Sequence, residues 1–369
     1  MKCKKCHNQD QRYFFYLNKY LICRKCLVFS AGLNEKKAIS FSEAKDAEYE
    51  IGFELTLAQK RVSKAVLESL KQREDVLIYA ACGTGKTEIV LQTIAYCLEN
   101  NLKVAIAIPR RQVVIELKAR MEKYFKNIKV ICVCEGFKDE IYADLIICTT
   151  HQLYNYYNYF DCLILDEPDA FPFANNPLLQ ALAKNSVKGN SIYMTATPSE
   201  KLKKLKTLKL FKRYHGYDLL VPKVVIGFEV QLLIKMFYFL KKYDRVLLFV
   251  PTIKLANKMS KILRYPVIHS KLDNKEKIIE DFDKGLHSTL ITTTIMERGI
   301  TIEGVNICVL FADHPVFNKA SLIQIAGRVG RKITKPDGYG IFLCRRKSEK
   351  VDLCVKELEM MNASSAISL

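Results

Sequence analysis

The chain has 369 residues, of which 49% are hydrophobic, so it is long enough to form two domains with full cores. Its 58 Lys and Arg residues outnumber 39 Asp and Glu, and the resulting net charge of +19 favours a polyanionic partner such as nucleic acid. No apolar run approaches the ~18 residues of a membrane span. The first residues lack the apolar core of a signal peptide, so we expect a cytoplasmic protein.

Two Cys-x-x-Cys pairs, separated by sixteen residues, stand at the start of the chain. Thiolates at this spacing converge tetrahedrally on Zn²⁺, so we predict a structural zinc module over residues 1–30 whose core is separate from the rest. The remaining cysteines mostly stand singly in apolar stretches and are interpreted as reduced thiols. The predicted zinc ligands are Cys3, Cys6, Cys23 and Cys26.

Beyond a polar linker over 31–53, short apolar runs alternate with helical patterns in two series, which predicts two tandem α/β domains of RecA-like parallel-sheet type over 54–213 and 214–369. A basic run over 201–213 is interpreted as a solvated helix face, with a DNA track as the alternative. The predicted strands of the first domain are Val76–Ala80, Val104–Ile108, Val130–Cys134, Leu145–Cys148, Cys162–Asp166 and Ile192–Thr195. Those of the second are Val246–Val250, Pro266–Ile268, Thr289–Thr292, Ile307–Phe311 and Gly340–Leu343.

A glycine-lysine loop follows the first of these strands. The backbone N–H groups of Gly83, Thr84 and Gly85 can cradle phosphates. Lys86 would reach the β- and γ-phosphates, and Thr87 would offer its hydroxyl to Mg²⁺. Ala80 stands where a first glycine is usual. The loop therefore predicts ATP and Mg²⁺ as cofactors.

An acidic run ends the predicted strand Cys162–Asp166. Asp166 is predicted to hold the magnesium ion, and Glu167 to orient and deprotonate the attacking water, which together predict metal-assisted phosphoryl transfer. Pro168 removes a backbone donor and leaves both carboxylates in place.

The second domain supplies the sequence from Gln324 to Arg331, which begins in a helix predicted near residues 318–329. Arg328 and Arg331 are three residues apart, which would put them on one helix face, from where they could stabilise charge on a γ-phosphate across a cleft. The alternative is that both arginines lie on a solvated helix face and have no role in catalysis.

These motifs, in this order, resemble superfamily 2 DNA helicases and translocases. The resemblance makes Gln59 an adenine-sensing residue, Thr195–Thr197 a coupling motif, Gln324 part of the catalytic set, and Gly299 the end of an element that touches nucleotide and DNA. It also implies DNA-backbone contacts, for which local capping is the alternative at each lone Thr or His. The residues concerned are the loop of Pro109, Arg110 and Arg111, together with Thr150, His151, His269 and Thr293.

More narrowly, the Thr149–Leu153 segment, the acidic run through Pro172, the Glu297–Gly299 triplet and a four-cysteine module in front resemble the ComFA family. That family implies an ATP-dependent motor that pulls transforming single-stranded DNA into Gram-positive bacteria. It also implies a ComFC-like partner and a membrane DNA channel, and with them peripheral attachment at the inner face of the membrane. The family usually has Val at Pro168 and a longer N-terminal region.

Two other functions stay open. A replication-restart or repair helicase resembling PriA shares the motor, although that family typically places its cysteines between motor motifs. The second is a nucleic-acid-binding scaffold with an ATP switch and negligible turnover. The presence of the predicted catalytic residues argues against it; these are Lys86, Glu167, Arg328 and Arg331.

Overall fold

The computed structural model describes residues 2–3, 6, 8–17, 20–26, 46–137, 139–272, 275–294, 302–331 and 333–367. The chain forms two compact units, one of Met1–Ala80 with Gly85–Leu210 and one of Ala81–Thr84 with Phe211–Leu369. Among the described residues, no helix combines the length and apolarity that crossing a bilayer requires.

The N-terminal segment of the first unit is a small antiparallel hairpin. Strand β1 (Phe14–Leu17) pairs with β2 (Tyr20–Cys23), and Phe14 lies opposite Cys23. A short 3-10 turn over Gln11–Tyr13 precedes it, capped by the Asp10 side chain. The pairing brings the two Cys-x-x-Cys segments to one end of the hairpin.

A seven-stranded, fully parallel sheet in the order β5-β6-β4-β7-β8-β3-β9 dominates the first unit. Its strands are β3 (Val76–Ala80), β4 (Val104–Ile108), β5 (Val130–Val133), β6 (Leu145–Thr149), β7 (Phe160–Asp166), β8 (Val187–Thr195) and β9 (Lys206–Leu210). Its helices are α1 (Leu57–Lys71), α2 (Lys86–Ile89), α3 (Leu91–Glu99), α4 (Arg111–Tyr124) and α5 (Pro177–Ser186).

Both faces of this sheet are covered, which is why its central strands are continuously apolar. Along β4, Val104 and Ile106 pack into one apolar cluster while Ala105 and Ala107 pack into another on the opposite face. The site residues described below follow the carboxyl ends of β3 and β7, as ligand-binding residues do in open parallel sheets.

The second unit contains a six-stranded parallel sheet in the order β10-β15-β14-β11-β13-β12, whose central strands carry its main core. Its strands are β10 (Lys223–Ile226), β11 (Val246–Phe249), β12 (Val267–Ile268), β13 (Thr289–Thr292), β14 (Asn306–Leu310) and β15 (Gly340–Cys344). Its helices are α6 (Glu229–Lys242), α7 (Ile253–Leu263), α8 (Lys275–Asp283), α9 (Lys319–Ala326) and α10 (Glu349–Ile367).

The predicted fold class of two RecA-like parallel-sheet domains is confirmed, and each predicted strand has a counterpart in these sheets. The interpretation of the basic run as a helix face is wrong from Lys206 onward, and only Leu202–Lys204 form a 3-10 turn. Lys206 and Lys209 are exposed on the edge strand β9, which pairs with β3, and edge lysines discourage pairing with other chains. Arg213, at the end of the run, is only 2% exposed.

The expectation that the cysteine module has a separate core is also wrong. Cys6, Cys23 and Cys26 belong to the same apolar cluster as Ala105 and Ile131 of the large sheet. A hairpin of this size buries too little apolar surface to be stable alone, so it packs on the sheet.

Candidate nucleotide site and cysteine cluster

The glycine-lysine loop has the backbone conformation that its glycines permit. Gly83 and Gly85 have φ values of 81° and 78°, in the left-handed region that side chains rarely adopt. A Cβ atom at Gly85 would lie 2.5 Å from Gln59 Nε2, so a side chain at this position would displace Gln59. Thr84 Oγ1 donates to the carbonyl of Ala81 at 2.9 Å, which closes the turn from within.

Gln59 reaches this loop because it is fixed at the start of α1. Its Oε1 accepts the backbone N–H of Thr56 at 2.8 Å, while its own N–H donates to Thr56 Oγ1 at 3.2 Å. This reciprocal capping box leaves Gln59 2% exposed, with Nε2 turned towards Gly85. The predicted adenine-sensing residue therefore contacts the phosphate loop.

Lys86 and Thr87 begin helix α2 directly after the loop. Lys86 Nζ donates to the carbonyl of Ala80 at 3.4 Å, so the ammonium group lies at the end of β3. Thr87 Oγ1 accepts a hydrogen bond of 2.8 Å from the Arg120 guanidinium on α4, which also pairs with Glu88 at 3.7 Å. Sequence reasoning missed Arg120, since a lone arginine on an amphipathic helix carries no motif.

Asp166 ends β7, half-buried, with one carboxylate oxygen enclosed. Burial, together with the adjacent charge of Glu167, raises the pKa of Asp166 to about 7. Among the described residues its Oδ1 atom is buried without a hydrogen-bond partner. A divalent cation would satisfy this oxygen and favour the ionised form, so the site fits Mg²⁺.

Glu167 has a strained backbone. Its φ of 54° lies in the left-handed region, which is uncommon for a residue with a long side chain. The conformation is held by hydrogen bonds, since the N–H of Glu167 donates to Met194 O and its carbonyl accepts from Ala170, both at 2.9 Å. Such strain clusters at functional sites, where it fixes the direction of a side chain.

Asp169 connects the acidic run to β8, a role that sequence reasoning did not assign. Its Oδ2 accepts the hydroxyl of Thr197 at 2.6 Å, and its Oδ1 accepts the hydroxyl of Thr195. This role of Asp169 could have been predicted from its position in the acidic run, because the Thr195–Thr197 segment offers hydroxyl groups that a carboxylate can accept.

The second unit places Gln324 and the two arginines differently from expectation. Helix α9 ends at Ala326, where Gly327 caps it, and Gly330 has a φ of 66°. Arg328 therefore lies in a turn and Arg331 directly after it, rather than both on one helix face. Arg328 is 3% exposed, which also excludes the solvated-face alternative for it. Arg331 Nε donates to Gly327 O at 3.0 Å.

Gln324 is buried in the second unit, to which the loop residues Ala81–Thr84 also belong. Its Oε1 accepts the Cys82 thiol at 3.1 Å. Among the described residues, Nε2 has no hydrogen-bond partner although it is buried. An orphaned amide of this kind requires an acceptor, and a phosphate oxygen would supply one.

Three of the six polar residues assigned to DNA contact by resemblance are buried, whereas Arg110 and His151 are half-buried. Thr150, His269 and Thr293 are 0%, 6% and 9% exposed, and His269 pairs with Asn257 at 3.2 Å. Arg111 is exposed and donates to Glu135 O at 2.8 Å. Gly299, with the Glu297–Gly299 triplet, lies outside the described residues.

The four N-terminal cysteines converge. Their Sγ atoms all lie within 4.8 Å of one another, with Cys3–Cys26 and Cys6–Cys23 separations of 3.7 Å. Zn–S bonds of about 2.3 Å in tetrahedral geometry place sulfurs about 3.8 Å apart, so the donor set fits Zn²⁺. Burial raises the pKa of Cys6 to about 11, so a thiolate there needs a compensating cation.

Two protein-family models match the chain in this order. Residues 52–200 match the model described as type III restriction enzyme, res subunit, and residues 229–332 match the helicase conserved C-terminal domain. The two matches cover the phosphate loop, the acidic run and the arginines of the second unit. They imply an ATPase that uses ATP and Mg²⁺.

Two curated relatives match nearly the whole chain, and a solved structure shares its fold. The chain is 31% identical to competence protein ComFA of Streptococcus pneumoniae, over 99% of this chain and 91% of that protein. It is 30% identical to competence protein ComFA of Bacillus subtilis, over 99% of this chain and 86% of that protein. S. cerevisiae Dbp5 bound to RNA and ADP BeF3 has the same fold, with a TM-score of 0.59, 18% identity, and coverage of 83% of this chain and 91% of that one.

Proposed function

Because this chain belongs to the ComFA family of superfamily 2 ATPases, we propose that it translocates along single-stranded DNA and drives the uptake of transforming DNA. The enzyme is an ATP-dependent, helicase-like motor, and the uptake step is the proposal. Its partners would be single-stranded DNA, a ComFC-like competence protein and a membrane DNA channel. Peripheral attachment at the inner face of the membrane would follow from the last of these.

The observation that carries the chemistry is the buried Oδ1 atom of Asp166, which has no hydrogen-bond partner in the described part of the chain. With Thr87, Asp166 would hold Mg²⁺, which when bound neutralises phosphate charge and orients the phosphates for in-line attack. The loop N–H groups of Gly83, Thr84 and Gly85 would bind the phosphates.

The remaining residues would act on the proton and on developing charge. Glu167, fixed by its backbone, would orient water and accept its proton, while Lys86 would turn from Ala80 O to a phosphate oxygen. Gln59 would read the adenine edge. Gln324, Arg328 and Arg331 would contact the transferring phosphoryl group, where cationic groups lower the barrier most.

The proposal that the motor acts on DNA is supported by the net charge of the chain and by its family membership. A net charge of +19 favours a polyanion, and the chain spans about nine-tenths of the two ComFA relatives. The four-cysteine cluster would hold a structural Zn²⁺ and anchor the hairpin to the first unit.

The test is the steady-state ATPase rate with no nucleic acid, single-stranded DNA, duplex DNA and RNA. We expect strong stimulation by single-stranded DNA and weak stimulation by the other two. Strong stimulation by forked or duplex DNA would favour a repair helicase resembling PriA. A rate that stays negligible with every nucleic acid would favour a scaffold with an ATP switch.

A further inference from the structure

Arg213 is a buried cation at the end of an otherwise exposed basic run. Its guanidinium donates to four backbone carbonyls of the second unit. The acceptors are Cys82 O at 3.1 Å, Val329 O at 2.7 Å, Gly330 O at 2.6 Å and Gly327 O at 3.4 Å. Burial lowers the pKa of Arg213 to about 10, so it remains charged at neutral pH.

This set of acceptors suits a guanidinium and no other side chain. The planar fork points N–H groups in several fixed directions, whereas a lysine carries one ammonium on a flexible stem. Burying a charge is costly unless it is fully hydrogen-bonded, and the bonds to Arg213 all go to carbonyls rather than to a carboxylate. The arrangement therefore serves the conformation of the backbone it binds.

The two residues after Arg213 bind the same turn. Tyr214 OH donates to Arg331 O at 3.3 Å, and His215 Nε2 donates to Gly330 O at 2.9 Å. The turn itself has little freedom, because a Cβ at Gly330 would lie 2.1 Å from Pro336 O. Three consecutive side chains thus fix the backbone that carries Arg331.

The same guanidinium reaches the start of the phosphate loop. Cys82 O is one of its acceptors, and Gly327 approaches so closely that a Cβ there would lie 2.5 Å from Cys82 Cβ. Loop residues Ala81–Thr84 and the Gly327–Arg331 turn, both in the second unit, are therefore joined through Arg213.

We propose that Arg213 is a positioning residue for ATP hydrolysis, which fixes the turn bearing Arg331 against the phosphate-loop backbone and acts through Arg331. The inference rests on the proposed role of Arg331 at the transferring phosphoryl group. It predicts that losing the guanidinium of Arg213 lowers turnover more than it lowers affinity for ATP, because the proposed ground-state contacts, of Lys86 with phosphate and of Thr87 with Mg²⁺, are untouched.

The test compares Arg213→Lys with Arg245→Lys in the full-length protein. Arg245 is the control, since it is also an arginine of the second unit that donates to backbone carbonyls, those of Glu303 and Asp283, although its side chain is less buried. We expect Arg213→Lys to lower kcat at saturating ATP by about 10- to 100-fold, the scale of a slightly misplaced group, with KM changed less than about threefold. Arg245→Lys should stay within about twofold of the parent in both constants.

A double-variant cycle distinguishes positioning from a general loss of structure. If Arg213 acts through Arg331, Arg213→Lys should cost little more in an Arg331→Ala background, because the group it positions is gone. A kcat for Arg213→Lys within twofold of the parent, or losses that multiply in the double variant, would overturn the inference. An Arg331→Ala variant with parental kcat would instead overturn the proposed role of Arg331.

Should Arg213→Lys not fold, Tyr214→Phe decides the question, since this side chain is exposed and loses only its bond to Arg331 O. We expect about a threefold loss of kcat, with the thermal midpoint unchanged and no further loss in the Arg331→Ala background. An unchanged kcat would count against the inference.

Discussion

The hydroxyl of Thr197 donates a 2.6 Å hydrogen bond to Asp169 Oδ2. The hydroxyl of Thr195 donates to the other carboxylate oxygen, and its Oγ1 accepts the backbone N–H of Thr197 at 2.9 Å. Asp169 lies two residues beyond Glu167, so the bond joins the acidic turn after β7 to the end of β8. A shift in the acidic turn during hydrolysis would therefore be transmitted to the Thr195–Thr197 segment.

Replacing Thr197 with Val should separate hydrolysis from its response to DNA. The substitution keeps the shape and removes one hydrogen bond to a carboxylate, worth about 1.5–3 kcal/mol. We expect the basal ATPase rate to stay within a few fold while stimulation by single-stranded DNA falls about tenfold. Thr207→Val, which removes a hydroxyl bond to Leu205 O on the edge strand, is the control and should leave stimulation intact. Equal losses in basal and stimulated rates would contradict the coupling role.

Glu167→Gln should abolish turnover while ATP binding persists. The amide keeps the size of the side chain and the left-handed backbone, yet it cannot accept a proton from water. Fluorescent-nucleotide binding and single-turnover hydrolysis measure the two effects separately. Lys86→Ala is the comparison, because it should weaken nucleotide binding as well while leaving DNA affinity within a few fold. Parental turnover by Glu167→Gln would mean that another group is the base.

The chain should bind one zinc ion, and a serine at any of Cys3, Cys6, Cys23 or Cys26 should release it. Because the cysteines lie in the same apolar cluster as strands of the first unit, we also expect zinc loss to lower the thermal midpoint by several degrees. Elemental analysis and calorimetry check both points. Cys97→Ser, at a buried cysteine in the other cluster of this unit, should keep the metal. Metal-free protein after reducing purification would exclude structural zinc.

Acid should destabilise the protein through His215. Its Nε2 donates to Gly330 O while its Nδ1 accepts the N–H of Tyr217 at 3.2 Å, so only the neutral ring satisfies both bonds. Burial lowers the pKa of His215 below its usual 6.5, so between these values the unfolded chain binds more protons than the folded one. The stabilisation is then complete above pH 6.5 and is lost as pH falls through the lowered pKa.

His215→Gln, which titrates in neither state, should flatten this part of the stability profile. Urea unfolding between about pH 7 and pH 5 measures the slope for parent and variant. If the stability of parent and variant changed equally with pH, protonation of His215 would not destabilise the folded state.

Apolar runs and local motifs were predictable from the sequence, whereas contacts between distant segments were not. Val76–Ala80 and Thr289–Thr292 are strands at the predicted bounds, because buried parallel strands are continuously apolar. Strand β9 was missed since its lysines lie on an edge, where charge is tolerated. Arg213 is indistinguishable in the sequence from the exposed lysines before it, and only the carbonyls of Cys82 and the Gly327–Gly330 turn define its role.

The motor should pull on single-stranded DNA and separate duplex strands poorly. Among the described residues, the two compact units consist of parallel sheets with their flanking helices and the small hairpin, with no additional unit of the kind that splits a duplex. Uptake of one strand needs only phosphate and stacking contacts that release and re-form with each ATP.

The test pairs unwinding of a tailed duplex with displacement of a protein block from single-stranded DNA, with Lys86→Ala as the inactive control. We expect block displacement without efficient unwinding, and DNA affinity that falls steeply with salt, because binding to phosphates releases counterions. A salt-insensitive affinity would argue against backbone contacts. Efficient unwinding of long duplexes would instead favour a repair helicase, since a motor that only pulls on one strand gains nothing from opening base pairs.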